Sequence, residues 1–273
     1  MSLLQAILLG IIQGLTEFLP VSSSAHLVLV PFLLGWTIPE DQIFSFDVLV
    51  QMGTLVAVII YFRKDLLDII LAFLRAIVQR RPFGDPQANL GWYIILATIP
   101  AGLAGILLKS KVEAAFNSPV VTALFLFVTA FLLLLSEWIG RRERPLESIT
   151  WKDALWIGCA QAISIFPGIS RSGSTIAGGL TRNFERRAAA RFSFLMSIPI
   201  LLAAGLLAGV DLVKMPDISG FLPMLAAGFL AAAVVGYLSI HWLLSYLNRH
   251  SLRSFAIYCC AIAVVTLVVA YVR

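Results

Sequence analysis

Four residues of this 273-residue chain carry groups that can do chemistry at phosphorus: Glu17, Ser23, His26 and Arg171. A carboxylate, a hydroxyl, an imidazole and a fixed cation can neutralise an anion, attack it and shuttle protons. Arg171 is the most telling of them. It lies in Pro167-Gly168-Ile169-Ser170-Arg171-Ser172-Gly173-Ser174-Thr175, with apolar sequence of membrane grade on both sides. An arginine near bilayer depth costs about 2.5–3.5 kcal/mol on insertion scales, so it calls for a partner. The hydroxyls and glycines around it supply donors and a compliant backbone, which suits an anion and above all a phosphate. Ser22, Ser23 and Ser24 form a second cluster of this kind. Any one of these serines also reads as an ordinary helix cap. Both clusters together with Arg171 favour an anion site. Gln13 and Glu17 are four apart and share a helix face. Glu17, an intramembrane carboxylate, needs a proton, a cation or a metal to be tolerated. His26 follows Ser23 by one helical turn, so the two are expected to address the same ligand atom.

The elements that position these groups follow from composition. The chain is 60% hydrophobic and 13% charged, far more apolar than a soluble domain, and no polar stretch is long enough to fold by itself. A single polytopic membrane domain over 1–273 is expected. Apolar stretches run at roughly 3–19, 25–36, 46–62, 66–78, 90–108, 119–139, 153–166, 175–181, 189–210, 221–247 and 255–272. Spanning hydrocarbon takes about 20 helical residues, and 25–36 and 175–181 fall short of that. Each follows a longer segment after a break rich in proline and serine. This predicts two re-entrant helical hairpins, tolerated only where the irregular backbone is buried in protein or lines a wet cavity.

The hairpins resemble each other. Ala6, Gly10 and Gln13 recur as Ala154, Gly158 and Gln161 at one offset, and Phe46-x-x-Leu49 echoes Phe192-x-x-Leu195. The expected fold is therefore all-α, an internal repeat of roughly 1–145 and 150–273 with one hairpin and three spans in each unit. An odd number of spans makes the repeats inverted, giving six transmembrane helices and two hairpins whose tips meet near the midplane. Charge orients the arrangement. Fifteen arginines and lysines, from Arg63 to Arg253, fall on one side, against Lys109, Lys111, Lys214 and Arg273 on the other. The richer side is then cytoplasmic, and both termini face outward.

Several classes drop out. The net charge of +5 is explained by topology, which leaves nucleic acid without support as a partner. No Gly-rich loop followed by Lys-Ser/Thr is present. His26, His241 and His250 lack metal-ligand spacing, while Cys159, Cys259 and Cys260 lie in or beside apolar segments and suit packing better than a disulfide framework. The N-terminus has no basic residue before its apolar run and no small-residue cleavage pattern after it, so it reads as a retained segment. Magnesium or calcium fits, because such ions often take one protein carboxylate and fill the rest with phosphate and water. Glu17 is the strong candidate ligand and Asp47 a weak second. Gly228, Ala231, Ala232 and Gly236 suit close helix contacts within the chain, or between two chains of a homodimer.

Two long stretches, Gln13-Gly14-Leu15-Thr16-Glu17-Phe18-Leu19-Pro20-Val21-Ser22-Ser23-Ser24-Ala25-His26 and 167–175, resemble the signatures of the undecaprenyl-pyrophosphate phosphatases, the bacitracin-resistance membrane proteins. Phe46-Asp47-Val48-Leu49-Val50-Gln51-Met52-Gly53 and Arg191-Phe192-Ser193-Phe194-Leu195 resemble that family too. The resemblance implies removal of one phosphate from a polyprenyl pyrophosphate lipid in the bacterial plasma membrane. That reaction regenerates the carrier lipid for peptidoglycan synthesis. It also implies dependence on a divalent cation and a cleft opening to the outer, periplasmic side. Glu17, Ser23, His26 and Arg171 fall where the family has its essential site, and Ser22, Ser170, Ser172 and Thr175 where it has supporting contacts. With Gln13 and Ser174 these make the expected substrate-binding set. Many members have Glu at the position of Gln13; a glutamine there can be neither a charged metal ligand nor a base, so that work falls on Glu17. Ser23 as nucleophile with His26 as its base comes first, direct attack by His26 second, and a metal-bound water stays open. The rival function is a polyprenyl-phosphate flippase, since inverted repeats with midplane hairpins are also a carrier design. Ser23 and His26 beside Glu17 favour chemistry, because a carrier needs no nucleophile.

Overall fold

A computed structural model describes residues 1–38, 40–213 and 218–273; Lys214, counted above on the sparsely charged side, lies outside them. Among the described residues the regular segments are helices: α1 (Leu3–Phe18), α2 (Ser23–Leu34), α3 (Glu40–Tyr61), α4 (Arg63–Val78), α5 (Pro86–Leu107), α6 (Lys109–Phe116), α7 (Pro119–Ile139), α8 (Trp151–Ile163), α9 (Arg171–Thr181), α10 (Arg186–Val213), α11 (Ile218–Tyr246) and α12 (Arg253–Val272). Five of them are long and apolar enough to cross a membrane: α5, α7, α12, and the parts Arg186–Leu206 of α10 and Phe221–Tyr246 of α11. The stretch expected at 46–62 forms most of α3, whose apolar part Phe46–Tyr61 is shorter. The 66–78 stretch is a separate helix, α4, with Leu67, Ile70, Leu71 and Leu74 exposed and Ile69 buried.

Local chemistry sets the helix starts. Ser2 and Gln5 form a capping box on α1, and Thr150 and Asp153 form one on α8. Ser22 caps α2 and Ser170 caps α9, each by accepting from a backbone N–H one turn on. These satisfy amides that would otherwise be orphaned in an apolar setting. All four caps recur at one common offset along the chain, and so do two glycines. Gly10 lies against the backbone of Gly228, and a Cβ on Gly158 would sit 2.6 Å from the Ala97 carbonyl oxygen. Helix α1 thus packs on α11, and α8 packs on α5. The small residues Gly228, Ala232 and Gly236 are spent on Gly10 and Gly14 within the chain.

One end of the bundle is clasped by ion pairs. Glu137 accepts from Arg142, Arg186 and the Leu252 amide. Asp153, fully buried, accepts from Arg144, Arg182 and Thr150. Burial alone would raise the Asp153 carboxyl, but the two guanidiniums and Thr150 outweigh it and hold it well below the usual carboxylate range. Its stabilising contribution is therefore present at pH above the ordinary aspartate value, about 4, and is lost only as acid protonates the folded form. Breaking a buried pair costs about 3–5 kcal/mol. Here the arginine side chains are 28% and 43% exposed and can turn to water. Asp153→Ala is accordingly expected to cost about 2–3 kcal/mol, at or below the low end of that range. Thermal unfolding in detergent should show a Tm deficit that is flat at neutral pH and narrows below about pH 4. A variant as stable as the parent at pH 7 would refute the clasp.

Candidate functional site

Helices α1 and α2 form one hairpin and α8 and α9 another, and their turns meet. Three hydrogen bonds join them. The Gly168 N–H donates to Ser22 Oγ (3.2 Å), Ser172 Oγ donates to the Leu19 carbonyl (3.0 Å), and Arg171 Nη2 donates to Glu17 Oε1 (2.6 Å). Both turns use left-handed backbone. Gly168 has φ +102°, and a Cβ there would overlap Thr122 and Phe125, so only glycine fits. Ser22 adopts φ +70° although it is not a glycine. Thr129 on α7 pins the second turn, donating to the Gly168 carbonyl (2.7 Å) and accepting from the Ser170 N–H (2.8 Å).

Glu17 is the hub. Its Oε2 accepts from Ser23 Oγ (2.6 Å) and Gln13 Nε2 (2.8 Å), while Oε1 takes the Arg171 guanidinium. The expected Gln13–Glu17 face is therefore present, and the buried carboxylate has its cation. Arg171 Nη1 is buried and finds no hydrogen-bond partner among the described residues. A buried donor left unpaired costs about 1–3 kcal/mol, so Nη1 is primed to bind an acceptor.

Beside this hub lies a cavity of ≈ 300 Å³. Glu17, Ser22, Ser23, Ser24, Ser170 and Arg171 line its polar end, with Gln51, Gln161 and Ser164. Ala101, Gly105, Phe116, Ile200, Leu201 and Ala204 form an apolar wall running to the end of α5 and to α6. A pocket of this make-up suits a small anionic head on an apolar tail.

Other expected site residues stand off the wall. Thr175 spends its hydroxyl on the Arg171 and Ser172 carbonyls and on Ser193. Ser172 braces Leu19, and Ser174 is buried, its hydroxyl unpartnered among the described residues. None of these three side chains lines the cavity. The expected Ser23–His26 pairing is corrected. His26 Nδ1 donates to the Ser22 carbonyl (2.8 Å), and its Nε2 is hydrogen-bonded with Tyr258 OH (2.8 Å). Residues three apart on a helix do share a face, but the Ser23 hydroxyl turns back across the tip to Glu17. Asp47 is also away from the site, beside Leu9, Leu27 and Phe46.

A divalent ion is tested by the donors present. Glu17 offers one carboxylate, its neighbour Gln13 has an Oε1 unpartnered among the described residues, and the serines supply hydroxyl oxygens. Such hard oxygen donors fit Mg2+ or Ca2+, with phosphate completing the shell. Thr129, Ser164 and Tyr258 carry no pattern in the sequence, since single polar residues on or beside apolar helices give none, and Gln51 stands there only inside the 46–53 stretch. Gln161 was visible as the repeat partner of Gln13.

A family model described as bacitracin resistance protein BacA matches residues 6–265. Among similar proteins, an undecaprenyl-diphosphatase from Chlorobium phaeovibrioides is 46% identical over 94% of this chain and 93% of its own. Proteins of the same name from Rubrobacter xylanophilus and Methanobrevibacter smithii are 45% and 42% identical, covering 96% and 97% of this chain and 96% of each relative.

Proposed function

This chain belongs to the bacitracin resistance protein BacA family, and on that premise we propose that it is a multi-pass membrane phosphatase of undecaprenyl pyrophosphate. It releases inorganic phosphate and returns the lipid monophosphate to peptidoglycan synthesis, which confers bacitracin resistance. One observation carries the chemistry: Arg171 of one hairpin grips Glu17 of the other while keeping Nη1 for a phosphate oxygen, and Ser23 gives its hydrogen bond to that same carboxylate.

Arg171 orients the terminal phosphate. Ser23 Oγ attacks its phosphorus and passes its proton to Glu17; the Oγ–P bond forms as the anhydride P–O bond breaks, and the lipid monophosphate leaves. Glu17 returns that proton to the departing lipid monophosphate and then takes one from water; the water oxygen attacks phosphorus, the Oγ–P bond breaks, and Ser23 Oγ recovers the proton from Glu17 as phosphate leaves. Gln13 and Glu17 would hold a divalent ion, which supplies charge compensation for the leaving phosphate. A phosphorylated Ser23 trapped and mapped supports Ser23 as the nucleophile, and phosphate on His26 refutes it.

The architecture proposed is the inverted repeat, with α3 as the sixth span and the hairpins entering from opposite faces. The common offset of the four caps and of Gly10 and Gly158 supports it. The cavity runs toward α6, which carries Lys109 and Lys111, away from the arginine-rich end; by the charge rule it opens to the outer side of the bacterial plasma membrane.

Purified protein in detergent is expected to release phosphate from undecaprenyl or farnesyl pyrophosphate. Chelation with EDTA should bring release to background, and Mg2+ or Ca2+ should restore it. Activity that survives chelation removes the ion from the scheme. Protein that releases no phosphate under either ion, yet moves lipid across vesicles, overturns the phosphatase in favour of a flippase.

A further inference from the structure

We infer that His26 and Tyr258 are positioning residues that hold the first hairpin tip in its reactive shape, an inference that rests on the reaction proposed above. Ser22 has φ +70° and ψ 97°, a backbone region that side-chain-bearing residues rarely adopt. It stands immediately before Ser23, so its conformation sets where the Ser23 hydroxyl points. Something must hold it there.

The holding group is His26. The Ser22 carbonyl accepts from the His26 ring at Nδ1 (2.8 Å) and from the His26 amide (3.3 Å). A carbonyl cannot donate, so Nδ1 carries the proton, and Nε2 of the neutral ring is left as an acceptor. Tyr258 OH, on α12, fills that position at 2.8 Å. The two rings lie within 5° of parallel. The next residue of α12, Cys259, places its Sγ 3.8 Å from the Pro20 carbonyl, so the same helix braces the tip at two adjoining positions. His26 is buried at 5% exposure and is not on the cavity wall, which leaves neither ring nitrogen turned to the reacting phosphate. The chain Tyr258–His26–Ser22 therefore runs from a hydroxyl outside the site to the backbone beneath Ser23. Ser22 Oγ, in turn, receives the Gly168 N–H, so the same chain sets how the two tips meet.

The test compares full-length variants that remain folded in detergent. Tyr258→Phe is expected to lower kcat about tenfold with KM unchanged, the effect of losing one part-buried hydrogen bond. His26→Asn, whose amide can donate from near the Nδ1 position, should retain part of the activity lost in His26→Ala. His26→Gln, whose amide sits near the Nε2 position, should not. Nitrogen NMR of the histidines should show His26 with its proton on Nδ1, and its Nε2 resonance should move to that of an unbonded nitrogen in Tyr258→Phe. A proton on Nε2 in the parent overturns the inference. So does an unchanged kcat in Tyr258→Phe, or recovery of His26→Ala by added imidazole, which marks a ring that does chemistry itself. A parent protein that releases no phosphate sinks the proposed reaction instead, and the NMR result still decides whether the tether exists.

Discussion

Arg171→Lys is expected to lower phosphate release by about 10³-fold or more, although it conserves the charge. The side chain does two things that an ammonium cannot do together. Its Nη2 holds Glu17 Oε1 at 2.6 Å, and its Nη1 is buried with no partner among the described residues. A planar guanidinium carries both donors at fixed separation, whereas lysine is a point charge on a flexible stem. Lysine can pair with Glu17 or reach the phosphate, but it cannot bridge them in one geometry. Steady-state kinetics with farnesyl pyrophosphate, on protein with an unchanged elution profile, measures the effect. A loss smaller than tenfold would show that the hairpin-to-hairpin contact is structural and that phosphate is bound elsewhere.

The second large effect is expected for Glu17→Gln, with a fall of about 10²–10⁴-fold in kcat, the usual worth of a positioned general base. Glutamine keeps the shape and can still accept from Ser23, so the tip should stay folded. It cannot take the serine proton, and it no longer offsets the charge of Arg171. Ser23→Ala should be as damaging as Glu17→Gln, and the double variant no worse than either, because residues acting as a unit are not additive. A Glu17→Gln enzyme with near-normal kcat would hand the proton to another group, and water activated by the ion would become the better route.

Much of this protein can be read from one strand of text. The capping residues Ser22 and Ser170, the short apolar stretches after each break and the glycines at Gly10 and Gly158 are local signals. Each is dictated by backbone amides that must be satisfied or by helices that must approach closely. For α4, periodicity gives an apolar face but not what that face meets. The short helix α6 has no sequence signal, as Lys109-Ser110-Lys111 and their neighbours carry little pattern.

The sequence by itself determined the helical membrane class, the two serine-rich breaks and which polar side chains stand beside them, since composition and short-range spacing act through the backbone alone. Only the tertiary structure decided their partners. It gave Ser23 to Glu17, His26 to Ser22 and Tyr258, and Arg171 to the opposite hairpin. Those choices depend on how α12 and the two turns pack, because hydrogen-bond direction is fixed by where distant helices bring their atoms, and no spacing along the chain encodes it.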